Sequence, residues 1–301
     1  MSTKFYIVRK LEIKTFLIDV PNLLKTCIFG TIEQHILNPN TVRLSLIYKQ
    51  STISYLRFGT GAKRLICFHG FGDRAVIFYN LERKLGHEFT LIAIDLPFHG
   101  QTEWRQETMQ MIDFEAITKE ILKIEGVERF SLAGFSFGAR IVTKLLFSQH
   151  PLIDAILLLS PDGFGTKGLK TATLFPIFLR RFIRFSLQKP DKIVNFVSFL
   201  HKKGLVGQPI YWFFSRNINN PQRRERLFAY WLSLNDFEVK LSAFKQKLLE
   251  TGIKTHIFLG KNDDITPLSI GTFLAADAPN IELHIIDSNH QILAHLPNFK
   301  I

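Results

Sequence analysis

The sequence predicts an α/β fold in which helices flank a mostly parallel central sheet and a helical segment is inserted late in the chain. Short apolar runs alternate with helix-like segments from residue 43 to residue 160, and the alternation resumes at residue 254. Such alternation is typical of a parallel sheet covered on both faces. Residues 132–139, Leu-Ala-Gly-Phe-Ser-Phe-Gly-Ala, also place a serine between two glycines where a strand should give way to a helix.

The individual elements follow from apolar periodicity and from turn residues. Residues 43–48 and 53–58 are predicted to form two paired strands joined by a polar turn. Further strands are predicted at residues 64–68, 90–95, 129–133, 154–160, 254–259 and 281–286. Helices are predicted at residues 75–85, 109–124, 139–149 and 267–276. In such a sheet, ligand chemistry lies at the carboxyl ends of the strands.

The chain divides into three predicted parts. Residues 1–40 form an N-terminal extension of unclear structure, to which no chemistry is assigned. Residues 41–164 and 251–301 are expected to form the α/β core. Residues 165–250 are rich in aromatic and basic residues and lack obvious buried strands, so we predict a helical cap inserted between the two halves of the core.

Composition indicates a globular protein, since 46% of the 301 residues are hydrophobic and 29 are phenylalanine. Cys27 and Cys67 have no metal-ligand spacing and are expected to be buried thiols, which favours a reducing compartment. Charged residues from Arg9 onward interrupt the N-terminal apolar residues, and no window approaches eighteen uncharged apolar residues. We therefore expect no secretion signal, no membrane span and a cytoplasmic location.

The net charge of +12 is concentrated in one segment. Residues 165–245 contain 15 Lys and Arg but only 4 Asp and Glu. A basic surface of this kind attracts anionic substrates, or it rests on an anionic lipid surface as a peripheral contact. Nucleic acid is the less favoured partner, because no nucleic-acid-binding motif accompanies the charge.

The serine of residues 132–139 has the setting of a nucleophile elbow. Ser136 follows the apolar strand at 129–133 and precedes the helix at 139–149. Gly134 and Gly138 flank it, as expected where side chains would clash with the neighbouring strand and helix. A plain turn that joins a strand to a helix is the alternative interpretation of this pattern alone.

An active serine needs a base within hydrogen-bond reach and a third group that orients the base. Asp263 and Asp264 follow the predicted strand at 254–259, and His290 follows the strand at 281–286. Both segments lie at strand ends, as Ser136 does. The last fifty residues therefore supply candidates for the acid and for the base.

Taken in order, these features resemble the alpha/beta-hydrolase-fold superfamily, in particular its capped, lipase- and esterase-like serine hydrolases. The resemblance spans roughly residues 43–297 and includes the order Ser, acid, His. It is carried by five features: the His69–Gly70 turn, the Asp95–Gly100 turn, the Gly134–Gly138 elbow, the Gly260–Pro267 turn and His290. Two departures are Phe98, where the family usually has glycine, and Thr102, where serine is common.

The resemblance implies Ser136 as nucleophile, His290 as general base and then general acid, and Asp263 as the carboxylate that orients the imidazole. Asp264, its neighbour, and Asp162, after the preceding strand, are the alternatives for the acid. No metal and no organic cofactor is implied.

The resemblance also implies an oxyanion hole formed by the backbone N–H groups of Phe71 and Phe137. Four residues would support the two turns that carry these groups: His69, Gly70, Gly134 and Gly138. His99 is likewise expected to stabilise a turn rather than to act as a catalyst, and Asp95 is expected to accept hydrogen bonds from local backbone N–H groups.

The predicted substrate pocket draws on the elbow and on the cap. Phe178 and Phe182 recur at helical spacing opposite Arg180 and Arg184, so this stretch is amphipathic. With Phe135 and Trp212, the two phenylalanines are the predicted lining for a hydrophobic acyl group. The alternative is that the aromatic face only packs on the core.

The function expected from these features is hydrolysis of a hydrophobic carboxylic ester through an acyl-enzyme. A second interpretation keeps the same triad but cleaves a C–C bond or a thioester in an anionic substrate held by cap arginines such as Arg216. A third is a non-catalytic binding or membrane-surface protein that retains the hydrolase fold.

Overall fold

The computed structural model describes residues 41–162, 164, 190–218 and 220–301, and within them eight strands form one sheet. Their spatial order is β1-β2-β4-β3-β5-β6-β7-β8. The strands are β1 (Val42–Tyr48), β2 (Ser51–Phe58), β3 (Lys63–Phe68), β4 (Phe89–Ile94), β5 (Phe130–Phe135), β6 (Ile153–Leu159), β7 (Lys254–Gly260) and β8 (Ile281–Ile286).

Strand direction divides the sheet into two parts. The first hairpin is antiparallel, with Val42 opposite Arg57, and β2 pairs antiparallel with β4. From β4 to β8 every pairing is parallel. The carboxyl ends of these parallel strands therefore meet at one edge of the sheet, and this confirms the predicted mostly parallel sheet.

Helices cover both faces of the sheet in the described part of the chain. Because β4 and β5 are buried along their whole length, they consist of nearly continuous apolar residues instead of alternating ones. One face packs into a cluster around Phe114, Ile141 and Leu145, and the other into a cluster around Phe78 and Leu81.

The helices agree with the predicted ones to within a few residues, apart from one local difference. The segment predicted as a helix at 75–85 begins as a 3-10 turn, Ala75–Phe78, and becomes α-helical only at Tyr79. The α-helices are α1 (Tyr79–Leu85), α2 (Met111–Glu125), α3 (Phe137–Gln149), α4 (Pro190–Lys202), α5 (Gln208–Ile218), α6 (Pro221–Ser233), α7 (Leu241–Thr251) and α8 (Leu268–Ala275).

Helices α4 to α7 lie between β6 and β7 in the chain, and the described residues between 190 and 251 contain no strand. The N-terminal extension at 1–40 and two predicted pocket residues, Phe178 and Phe182, lie outside the described residues. None of the helices that the structure describes is both long and apolar enough to cross a membrane.

Candidate active site

The turn at Ser136 joins β5 directly to α3. The strand ends at Phe135 and the helix begins at Phe137, so Ser136 alone forms the junction. Its φ is 50°, a left-handed conformation that is uncommon for a residue with a side chain. The Ser136 N–H donates to Leu159 O of β6 at 2.9 Å, and this bond fixes the turn at the carboxyl edge of the sheet.

Two glycines permit this sharp turn. A Cβ on Gly138 would lie 1.8 Å from Phe68 O of β3, and one on Gly134 would lie 2.6 Å from Ala139 Cα. Both contacts are far inside van der Waals distance. The glycines are therefore required because strand and helix backbones approach each other closely here.

His290 lies against the Ser136 hydroxyl. Its Nε2 is 2.9 Å from Ser136 Oγ, a hydrogen-bond distance. The residue follows β8 and is only partly buried, and its ring packs on Phe135 with a centroid separation of 5.4 Å. A neutral imidazole in this position can accept the hydroxyl proton.

Asp263 is hydrogen-bonded to that imidazole. Its Oδ2 accepts a hydrogen bond from His290 Nδ1 at 2.8 Å, and its Oδ1 accepts from the backbone N–H groups of Ile265 and Thr266 at 2.8 and 2.9 Å. Burial by itself raises the pKa of Asp263, but the hydrogen bonds from His290 and Thr266 outweigh it, and the pKa falls below its usual value. The carboxylate therefore stays ionised and holds the proton on Nδ1.

The two alternative acids lie elsewhere. Asp264 is exposed to solvent. Asp162 lies 3.5 Å from the Arg140 guanidinium, with which it forms a largely buried ion pair. Of the three candidates, Asp263 is the one whose carboxylate contacts His290.

The turn predicted to carry the second oxyanion donor lies beside Ser136. A Cβ on Gly70 would lie 3.1 Å from Ser136 Cβ, so this backbone passes very close to the serine. His69 ties the turn to the next strand end, because its Nδ1–H donates to Gly70 O at 2.7 Å and its Nε2 accepts from Leu96 N–H at 3.0 Å. Burial lowers the pKa of His69 to about 4, so this ring is neutral.

His99 stabilises the same turn from the other side. Its Nε2 accepts a hydrogen bond from Gly72 N–H at 2.9 Å, and its Nδ1–H donates to Pro97 O at 2.8 Å. Burial and the nearby His69 hold the pKa of His99 well below its usual value. Both histidines therefore bind backbone groups at this turn.

The turn after β4 is organised by Asp95. Its carboxylate accepts hydrogen bonds from the backbone N–H groups of Ala75 and Gln101 at 2.8 and 3.1 Å, as predicted, and also pairs with Arg43 at 2.8 Å. Phe98, which replaces the usual glycine, has a φ of 66°. The chain thus adopts a glycine-like conformation with a phenylalanine, and that side chain lines the adjoining cavity.

A cavity of about 1510 Å³ adjoins the site. It is lined by Phe71 of the turn after β3, by Gln291 next to His290 and by residues of α5 and α6. Five arginines and three acidic residues contribute to its wall: Arg74, Arg105, Arg216, Arg223, Arg226, Asp73, Glu103 and Glu225. The wall is therefore positively charged overall.

Of the four predicted pocket residues, Phe135 is the one whose side chain the structure describes. Phe135 is fully buried and does not line this cavity; it packs against the His290 ring instead. Phe137 is also buried, and Phe71 and Phe137 both contact the ring of Tyr230 on α6, at 4.7 and 4.8 Å. Trp212 lies in α5, but its side chain is outside the described part of the structure.

Asp73 is a feature of the site that the sequence did not predict. It lies in the turn after β3 and lines the cavity. Burial raises the pKa of Asp73 to about 6, although the charges of His290 and Arg226 act in the opposite direction. Nothing in the sequence marks this aspartate, because its altered pKa arises from burial between segments distant in the chain.

Comparison with known proteins agrees with this architecture. The uncharacterized hydrolase YugF of Bacillus subtilis is 26% identical over 231 residues, which cover 74% of this chain and 81% of that protein. The pimeloyl-acyl-carrier-protein methyl ester esterase of Legionella pneumophila is 24% identical over 242 residues, covering 80% of this chain and 90% of the esterase.

A solved structure from a study of carboxylesterases of the thaumarchaeon Nitrososphaera gargenis shares the fold, with a TM-score of 0.59 and 19% identity over 85% of this chain and 93% of that one. The sequence signature of the alpha/beta hydrolase fold matches residues 63–294, which include Ser136, Asp263 and His290. The chain therefore belongs to the alpha/beta hydrolase fold family.

Proposed function

We propose that the protein is a serine hydrolase that cleaves a hydrophobic carboxylic ester through an acyl-enzyme. The observation that carries the proposal is the continuous hydrogen-bonded series from Asp263 through His290 to Ser136, with distances of 2.8 and 2.9 Å. This is the geometry that an activated serine requires. The esterases among its relatives support an ester as the substrate.

In the proposed mechanism, Ser136 Oγ attacks the ester carbonyl while His290 Nε2 takes the hydroxyl proton. Asp263 stabilises the imidazolium and keeps its orientation. The oxyanion is stabilised by the backbone N–H groups of Phe71 and Phe137. His290 then protonates the leaving alcohol, and the acyl group remains on Ser136. A water molecule, deprotonated by His290, attacks this acyl-enzyme and releases the acid.

The proposal is tested by labelling the folded protein with a fluorophosphonate and mapping the modified peptide by mass spectrometry. One equivalent is expected at Ser136, because its hydroxyl is hydrogen-bonded to a base. Ser160 is an internal control: it also follows a strand with a left-handed φ, 42°, but it is fully buried. Absent labelling, or labelling at another residue, would contradict the mechanism and favour a binding protein.

A second candidate substrate, an anionic ester or thioester, is favoured by the arginines of the cavity wall. Arg226 stacks on the Phe71 ring at 5.3 Å and is therefore held directly beside the oxyanion turn. Arg216 is exposed and lines the same cavity from α5. Cations in such a cleft concentrate negatively charged ligands.

The Arg216→Ala variant is expected to lower kcat/KM about fivefold for an ester with a carboxylate on its acyl chain, and to leave the neutral isosteric ester unchanged. Arg129→Ala is a matched control, because this exposed arginine precedes β5 at the opposite edge of the sheet. Equal effects on both esters, or the same loss in the control, would rule out this anion-binding role.

A further inference from the structure

A cluster of two histidines and a glutamate lies on the last two strands, away from the nucleophile. His256 is on β7, and Glu282 and His284 are on β8. In the parallel register, His256 is opposite Glu282, and Phe258 is opposite His284. Because side chains alternate along a strand, all of these residues are on the same face of the sheet.

The three potential ligand atoms are spaced as the ligands of one small ion are. His256 Nδ1 lies 3.2 Å from His284 Nε2 and 3.4 Å from Glu282 Oε2, and the last two atoms are 3.8 Å apart. The centre of the circle through three atoms with these separations lies about 2.0 Å from each, which is the bond length of zinc to imidazole nitrogen and to carboxylate oxygen.

The surroundings hold the two rings in place and leave one side open. The Phe258 ring stacks on His284 at 4.4 Å, and Phe299 from the C-terminal segment packs against both histidines. His256 is fully buried, whereas Glu282 is 51% exposed. An ion at this position would therefore have three protein ligands and a side that water can reach, as in zinc sites with an open fourth position.

The polar contacts of the His256 ring lie within this cluster in the described structure. His256 Nε2 has no hydrogen-bond partner among the described residues, so its contacts with His284 and Glu282 through Nδ1 are the polar contacts of this ring. Lys254 Nζ, 3.7 Å from Glu282, is the competing cation, but its side chain is half exposed and free to turn into solvent.

We propose that His256, Glu282 and His284 form a binding site for a divalent transition-metal ion, with zinc best matched to this ligand set. The ion would join β7 to β8, which is the last strand of the described sheet and pairs with β7 alone. Asp263 and His290 follow the carboxyl ends of these same strands. The metal would thus link β7 to β8 and stabilise the part of the sheet that carries Asp263 and His290. It takes no part in the ester chemistry.

The test uses the full chain, prepared without a histidine tag, treated with EDTA and titrated with ZnSO₄. We expect one zinc per chain by elemental analysis, a dissociation constant below about 10 µM and a Tm increase of several degrees. Substituting Co²⁺ should give the visible absorption bands of a four-coordinate site. Binding only at millimolar zinc would mark an adventitious contact and overturn the proposal.

Three variants make the test specific. His284→Ala should abolish the stoichiometric zinc and the Tm increase, and Glu282→Gln, at an exposed position where folding is not at risk, should weaken binding at least tenfold. His87→Ala, which removes an exposed histidine elsewhere, and Ser136→Ala should bind zinc as the unmodified chain does. Undiminished binding in Glu282→Gln and His284→Ala would show that the metal binds at other residues.

Discussion

Replacing Ser136 with alanine is expected to lower kcat for short p-nitrophenyl esters by about 10⁶-fold, the loss seen when a serine nucleophile is removed from such a triad. Alanine leaves no atom that can form the acyl-enzyme. The backbone bond from residue 136 to Leu159 O does not involve the side chain, so the turn itself should persist. The measurement is steady-state hydrolysis, with far-UV circular dichroism to establish that the variant is folded.

Ser160→Ala is the matched control for this substitution. Ser160 has a similar φ at the end of β6, but its fully buried hydroxyl has no hydrogen-bond partner in the described structure. Removing that hydroxyl should leave kcat within a few-fold of the original value. If Ser136→Ala retained more than about 1% of the activity, hydrolysis through an acyl-enzyme at this serine would be excluded.

The second large effect is expected from Asp263→Asn, which should lower kcat about 10⁴-fold and change KM little. The asparagine oxygen can still accept from Ile265 and Thr266, so the turn is preserved. Its NH₂ group then faces His290 Nδ1 and can only donate to it. The imidazole is driven to the tautomer with its proton on Nε2, which cannot accept the proton of Ser136.

Asp264→Asn and Asp162→Asn separate the candidate acids. Asp264 is exposed, so its replacement should change kcat by no more than a few-fold. Asp162→Asn breaks the ion pair with Arg140, and its expected effect is on the unfolding midpoint more than on kcat. A loss of four orders of magnitude in Asp264→Asn, with Asp263→Asn active, would reverse the assignment of the acid.

The parts of the structure that the sequence predicts well are those governed by local rules. Glycine is needed where a strand backbone and a helix backbone approach each other too closely for a side chain. Gly134 and Gly138 lie at two such close approaches beside Ser136. Apolar runs bounded by turns predicted each of the strands found in the described residues, although β5 extends two residues further than expected, to Phe135.

The parts that the sequence does not predict depend on register and burial. His256 and His284 are 28 residues apart, and their contact follows only from the pairing of β7 with β8. In the sequence alone, His256 is a polar residue within a buried strand, and nothing indicates that it contacts His284. The raised pKa of Asp73 likewise comes from packing. Phe135 was predicted to line a pocket but is fully buried, because the direction of its ring depends on the pleat of β5, which the sequence alone does not give.

The pairing of β6 with β7 has a consequence for the segment between them. Ala155 is opposite Lys254 in the sheet, although almost a hundred residues separate them in the chain. The intervening segment leaves and re-enters the sheet at adjacent strands, so lengthening it costs little loop-closure entropy and does not disturb the register that aligns Ser136 with His290. The segment between β6 and β7 can therefore change in length while the arrangement of Ser136, Asp263 and His290 stays the same.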